Sequence, residues 1–157
     1  MKRLSFLFIL LTAGSPLYGW SQASFPFFSN LKHDKTNVRF GPSNSFPIKF
    51  ELKCARLPVE IIKIHKDWYF IHDFEGESGW IHRRMVVQND FVFLLKKSLL
   101  KKERKVTSQT TACLSRGVLV KLKSCHNKIC CVEIFNHKKK MVGWIPEKNL
   151  WGSLKLK

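Results

Sequence analysis

The chain has 157 residues and carries 28 Lys and Arg against 11 Asp and Glu, a formal charge of +17. That length holds one medium domain or two small ones of about 60 residues each. The basic excess favours polyanions or anionic surfaces as partners, with compositional drift towards lysine as the bland alternative. Twenty-one of the 28 basic residues are lysines, which argues for a diffuse field and against bidentate arginine recognition.

Lys2 and Arg3 form a basic start, and Leu4 to Leu11 is an apolar run broken only by Ser5. Ser21-Gln22-Ala23 then fits a small-x-small cleavage pattern. Residues 1–23 therefore read as a secretory signal peptide, too short for a comfortable membrane span. An uncleaved anchor is the alternative, and the expectation is export to the periplasm or cell envelope. Beyond the leader the charge is uneven. Residues 24–88 hold ten basic and seven acidic side chains, whereas residues 89–157 hold sixteen and four.

Phe25 to Phe28 is an aromatic leader, expected to cover a sheet edge. Val38-Arg39-Phe40 is extended and runs into the Gly41-Pro42 turn. Strands follow at Phe46–Leu52 and Leu57–Ile64, with Pro58 confined to the first positions of the second. Trp68–His72 and Trp80-Ile81 flank an acidic turn holding Gly76 and Gly79, which predicts a hairpin. His82–Val87 predicts a one-turn helix and a closing strand. Sixty-four residues after Gly79-Trp80-Ile81 the triplet returns as Gly143-Trp144-Ile145, which points to a duplicated small β-domain. No segment up to Val87 sustains a 3.6-residue period, and short strands between turns indicate a small barrel or sandwich. Trp80 and Trp144, each after a glycine, are expected to be largely buried. The apolar run Phe91–Leu95 is too long for a linker and is expected to pack the two halves together.

Asn37-x-Arg39-x-Gly41-Pro42, Leu57-Pro58-Val59-Glu60-Ile61, Trp68 and Gly79-Trp80-Ile81-His82 occur in that order. Over residues 32–87 this pattern resembles the bacterial SH3-like domain. The resemblance implies a strongly bent barrel of five or six strands. The second half matches more loosely: Ile129 stands where Trp68 would be, and Ser98-Leu99-Leu100-Lys101-Lys102 replaces the first motif. The expected organisation is all-β, with SH3-like barrels at residues 30–88 and, in degenerate form, 90–151.

The resemblance also implies function. It suggests a non-enzymatic binding module of the bacterial envelope, with peptidoglycan, its stem peptides or an envelope protein as partner. A groove is expected on the first repeat near Arg39, Tyr69, Phe74 and Trp80. The alternative is a polyanion or membrane-surface binder working through Lys96, Lys97, Lys101, Lys102, Arg104 and Lys105. Export argues against specific nucleic-acid binding.

Cys125 and Cys130 flank His126-Asn127-Lys128-Ile129, an expected hairpin turn, and similar domains often carry a cysteine pair here. A Cys125–Cys130 bridge is preferred, with Cys125–Cys131 as the alternative, because adjacent residues on a strand point to opposite faces. Cys54 and Cys113 are expected to be buried free thiols. The cluster with His126 and His137 is too crowded within one hairpin for a tetrahedral zinc site, so no metal or cofactor is expected. Asp73, Glu75 and Glu77 fit a solvated turn better than a carboxylate pair across a cleft. No cysteine opens a helix beside a base, and no glycine-rich phosphate loop precedes a helix.

Overall fold

The computed structural model describes residues 25–136 and 139–152. The proposed signal peptide, with its cleavage site, and His137 lie outside them. Seven strands form the first sheet: β1 (Phe27–Leu31), β2 (Thr36–Arg39), β3 (Ile48–Leu52), β4 (Pro58–His65), β5 (Trp68–His72), β6 (Ser78–His82) and β7 (Val86–Val87). Seven more form the second: β8 (Phe91–Leu94), β9 (Ser98–Lys101), β10 (Thr110–Leu114), β11 (Leu119–His126), β12 (Ile129–Asn136), β13 (Lys139–Pro146) and β14 (Leu150–Trp151). A 3-10 turn precedes each closing strand, at Arg83–Met85 and Glu147–Asn149.

The strand orders are β3-β2-β6-β5-β4-β1-β7 and β10-β9-β13-β12-β11-β8-β14. Adding seven to every strand of the first gives the second, so the duplication extends to topology. All pairings are antiparallel. The equivalent eight-residue strands β4 and β11 carry register shifts at matching places, between Ile61 and Lys63 and between Leu122 and Ser124. Such bulges bend and twist a strand. The bend lets the inner face of one sheet surround a single cluster. Leu31, Val38, Val59, Ile61, Ile71 and Ile81 form one such cluster, and Val92, Leu94, Leu100, Val120, Val132 and Ile145 anchor the other.

Strand parity decides which side chains enter those cores, and it corrects two expectations. Gly79 and Ile81 face inwards, so Trp80 between them faces out and is half-buried. Trp144 lies in the same way between Gly143 and Ile145. The glycine is needed for a different reason. A methyl at Gly79 would lie 2.5 Å from Val38 Cγ1 and 2.9 Å from the Arg39 carbonyl oxygen. One at Gly143 would lie 2.5 Å from Leu100 Cγ and 2.7 Å from the Lys101 carbonyl oxygen. The repeated triplet therefore marks where β2 and β9 close tightly over β6 and β13.

β1 lies between β4 and β7 and is thus internal to the sheet, with its first residues paired to Ile61 and Glu60. β8 joins the halves as expected. Phe93 is buried in the first core and stacks on Phe74 at 4.1 Å between centroids. Buried Asn30 donates from Nδ2 to the Arg56 and Phe91 carbonyls, both at 2.9 Å, and the Arg56 guanidinium sits 5.0 Å from the Phe91 ring centre.

Candidate functional site

Outside each core, the sheets form a cleft in the same place. Its floor is set by one cross-strand pair, Trp68 opposite His82 in the first domain and Ile129 opposite Pro146 in the second. One wall is the outward face of β2 or β9. There Arg39 pairs with Trp80, and Lys101 pairs with Trp144. The loop leaving that strand forms the rim, contributing Asn44 in one cleft and Val106 in the other. The first cleft has a volume of about 300 Å³ and the second about 250 Å³.

In both domains a cation braces the rim. Arg39 Nη1 donates to the Phe46 carbonyl at 2.7 Å. Lys101 Nζ donates to the Ser108 carbonyl at 3.0 Å and to Thr110 Oγ1 at 3.1 Å. Phe46 and Ser108 stand equally far beyond the bracing residue, so the two bonds are equivalent.

The linings differ in chemistry. Lys35, Asn37, Arg39 and Arg84 make the first cleft polar and cationic, with the Trp68 indole and His82 imidazole packed edge to face at 5.3 Å. His82 Nδ1 accepts the Arg84 backbone N–H at 3.2 Å, which fixes the ring and caps the 3-10 turn. The cleft opens towards an aromatic strip on the outer face. Phe70 lies 5.3 Å from Trp80, and the Lys63 ammonium sits 5.3 Å from each of those ring centres. In the second cleft Leu99, Val106 and Pro146 stand where the first has Asn37, Asn44 and His82, and Ile129 stands for Trp68, while Lys97 and Lys101 keep part of the cationic lining.

The structure sorts the candidate groove residues by strand face. Arg39 lines the first cleft, and Trp80 borders it on the aromatic strip. Tyr69 does not belong to it: like Ile71, two residues on, it points inwards and packs against the core. Phe74 is excluded too, because its ring is spent on Phe93 between the domains. Sequence reasoning passed over Trp68, His82, Asn37 and Arg84 as site residues. Parity could have found the first two, since Trp68 and His82 lie out of phase with the apolar Ile71 and Ile81.

The basic run is not one continuous face. Lys97, Lys101, Arg104 and Lys105 line the second cleft, whereas Lys96 and Lys102 are exposed outside it. The acidic turn is held by Asp73, whose Oδ1 accepts the backbone N–H of Glu75 and of Glu77, each at 2.9 Å. Cys125 and Cys130 are directly opposed on the inner face of the β11–β12 hairpin and are bridged. Asn127 and Lys128 make the turn with φ of 50° and 61°, the paired left-handed geometry of a tight hairpin. Cys131 faces out, beside Trp144, and stays free. Burial raises its thiol pKa, with Lys123 opposing. Cys54 is half-buried, but Cys113 is exposed, contrary to expectation, because it lies on the outer face of edge strand β10.

Comparison with known proteins places the first domain. Residues 32–87 match the family model of the bacterial SH3 domain. The match is confined to the first domain, whose strand order the second repeats. Among solved structures, the chain is similar to NlpC2 from Trichomonas vaginalis, with 11% identity, 83% of this chain and 49% of that one covered, and a TM-score of 0.37. It is also similar to NlpC1 from Trichomonas vaginalis, with 16% identity, 92% and 50% coverage, and a TM-score of 0.34. The chain thus spans about half the length of each. No curated protein matches it.

Proposed function

We propose that the protein is an exported, non-catalytic binding module of the bacterial cell envelope. Its SH3 domain would recognise peptidoglycan stem peptide, or a similar peptide on an envelope protein, in the first cleft. The observation that carries the reading is this cleft itself, within the segment that matches the bacterial SH3 family. Arg84 and the remaining donors of Arg39 supply charge for a peptide carboxylate, while Lys35 is paired with Glu51 at 2.7 Å. Asn37 supplies amide hydrogen bonding, and Trp68 gives an apolar wall for the chain between such groups. Extended ligands commonly use aromatic-lined grooves of SH3 folds in this way.

The test is retention on purified cell-wall sacculi at low and moderate salt. Binding that persists at moderate salt and is lost in a Trp68→Ala, Arg84→Ala variant supports the cleft. Binding that collapses with salt and survives that variant favours the second reading, a polyanion binder. That reading is favoured by the exposed Lys96, Lys97, Lys102 and Lys105. Export has its own measurement: N-terminal sequencing of protein recovered from the envelope should begin near Ser24.

A further inference from the structure

The second cleft gathers part of the basic run, yet its centre is not built for a polyanion. Its floor and walls are Ile129, Trp144, Pro146 and Leu99, with Val106 on the rim loop. Leu99 is 47% exposed and Val106 82% exposed, where the first domain has Asn37 and Asn44. An apolar wall left open to water is unfavourable unless something covers it. Besides Lys101 on the wall, charge comes from Lys97, Arg104 and Lys105, against the single acidic Glu103. The Lys101 ammonium gives hydrogen bonds to Ser108 and Thr110, which shape the loop and leave its positive charge at the cleft wall.

These features exclude several occupants on chemistry. A volume of about 250 Å³ suits one or two side chains, below the roughly 300–1,000 Å³ of small-molecule sites. A phosphate polymer has no apolar group of its own to fill such a floor, and a glycan offers only C–H faces and acetyl methyls, with no large side chain to occupy it. A bilayer would need a protruding apolar face, and this one is concave. A peptide supplies what remains: an apolar side chain for the floor and carboxylates for the rim.

We propose that the second-domain cleft docks an extended peptide from a partner protein, carrying a large apolar residue between acidic ones. The apolar residue would enter between Leu99, Ile129 and Trp144, as a buried anchor within a polar rim. Asp or Glu on either side would meet Lys97, Arg104 and Lys105, which sets partner choice and speeds encounter. The two domains then recognise different ligands. This inference does not rest on wall binding, which concerns the other cleft.

The test is a selection of random short peptides displayed on phage against the immobilised full chain. Enriched peptides are then labelled and titrated by fluorescence anisotropy. Leu99→Ser and Val106→Asp serve as variants, since both positions are exposed and outside the core. Enriched sequences should share a large apolar residue flanked by Asp or Glu. Each variant should weaken their binding about tenfold or more, while sacculus retention stays unchanged. The proposal is overturned by a selection without enrichment, by enriched acidic peptides lacking an apolar residue, or by undiminished affinity in both variants. Phosphatidylglycerol vesicles or polyphosphate that displace the peptide and bind Leu99→Ser as well as the parent would also overturn it, by assigning the patch to anionic surfaces.

Discussion

The first and second domains carry the same seven strands in the same order, the same tight glycine crossing and the same cation-braced loop. At the clefts they part. Asn37 faces Leu99 in the comparison, Asn44 faces Val106, Trp68 faces Ile129 and His82 faces Pro146. The inner faces are mainly Ile, Leu and Val, with Phe93 in one cluster and Cys130 in the other, because they fill closed volumes. The outward faces bear no such packing requirement, so their chemistry is free to differ. Scaffold and recognition are thereby separated by strand parity alone.

Breaking that separation gives the largest effect. Ile81→Ala and Ile145→Ala remove fully buried side chains and should each cost about 2–5 kcal/mol in chemical denaturation. Trp80→Ala and Trp144→Ala, next to them on the outer face, should cost only about 1–2 kcal/mol despite the larger ring. If the tryptophans prove the costlier pair, the parity assignment fails.

The crossing comes next. Gly79→Ala and Gly143→Ala should each cost about 3 kcal/mol, the upper part of the overpacking range, since a backbone carbonyl cannot yield as a side chain can. Equal losses in the two domains would sharpen the equivalence, and a neutral substitution at either would break it.

The bridge distinguishes the domains. Reduction, or Cys125→Ser with Cys130→Ser, should destabilise the second domain by about 2 kcal/mol and leave the first unchanged. Non-reduced peptide mapping should show Cys125 linked to Cys130, with Cys131 free because it stands on the opposite face. A Cys125–Cys131 link would contradict the hairpin register.

The smallest effect is electrostatic. A hydrogen bond from Lys140 at 2.8 Å holds the Glu133 carboxyl below its ordinary value of 4.5, against burial, with help from Lys123 and Lys121. A lowered carboxyl contributes stability that is present above its unfolded pKa and lost as the pH falls through the folded one. Acid titration of stability should therefore flatten in Glu133→Gln. Glu51 is lowered in the same sense by Lys35, but its side chain is 28% exposed against 6% for Glu133. Solvent screening should make Glu51→Gln the weaker of the two. A larger change at Glu51 would reverse that ranking.

Sequence by itself determined the β class, the duplication and the hairpins. Alternating apolar residues and turn signals act locally, and a repeated Gly-Trp-Ile triplet is visible without coordinates. It also narrowed the cysteine pairing to Cys125–Cys130 or Cys125–Cys131, through the hairpin reading and the resemblance, and the strand register then decided for Cys130. Tertiary structure alone decided what each outward side chain meets. Tyr69 and Phe74 look like groove aromatics in the chain, yet one enters the core and the other is taken by Phe93, nineteen residues further on. Lys97 and Val106 reach the same cleft as Ile129 and Pro146 only because β9 folds over β13. A cleft joins residues distant in sequence through the bend of the sheet, and that bend arises from bulges and close crossings that no local period records.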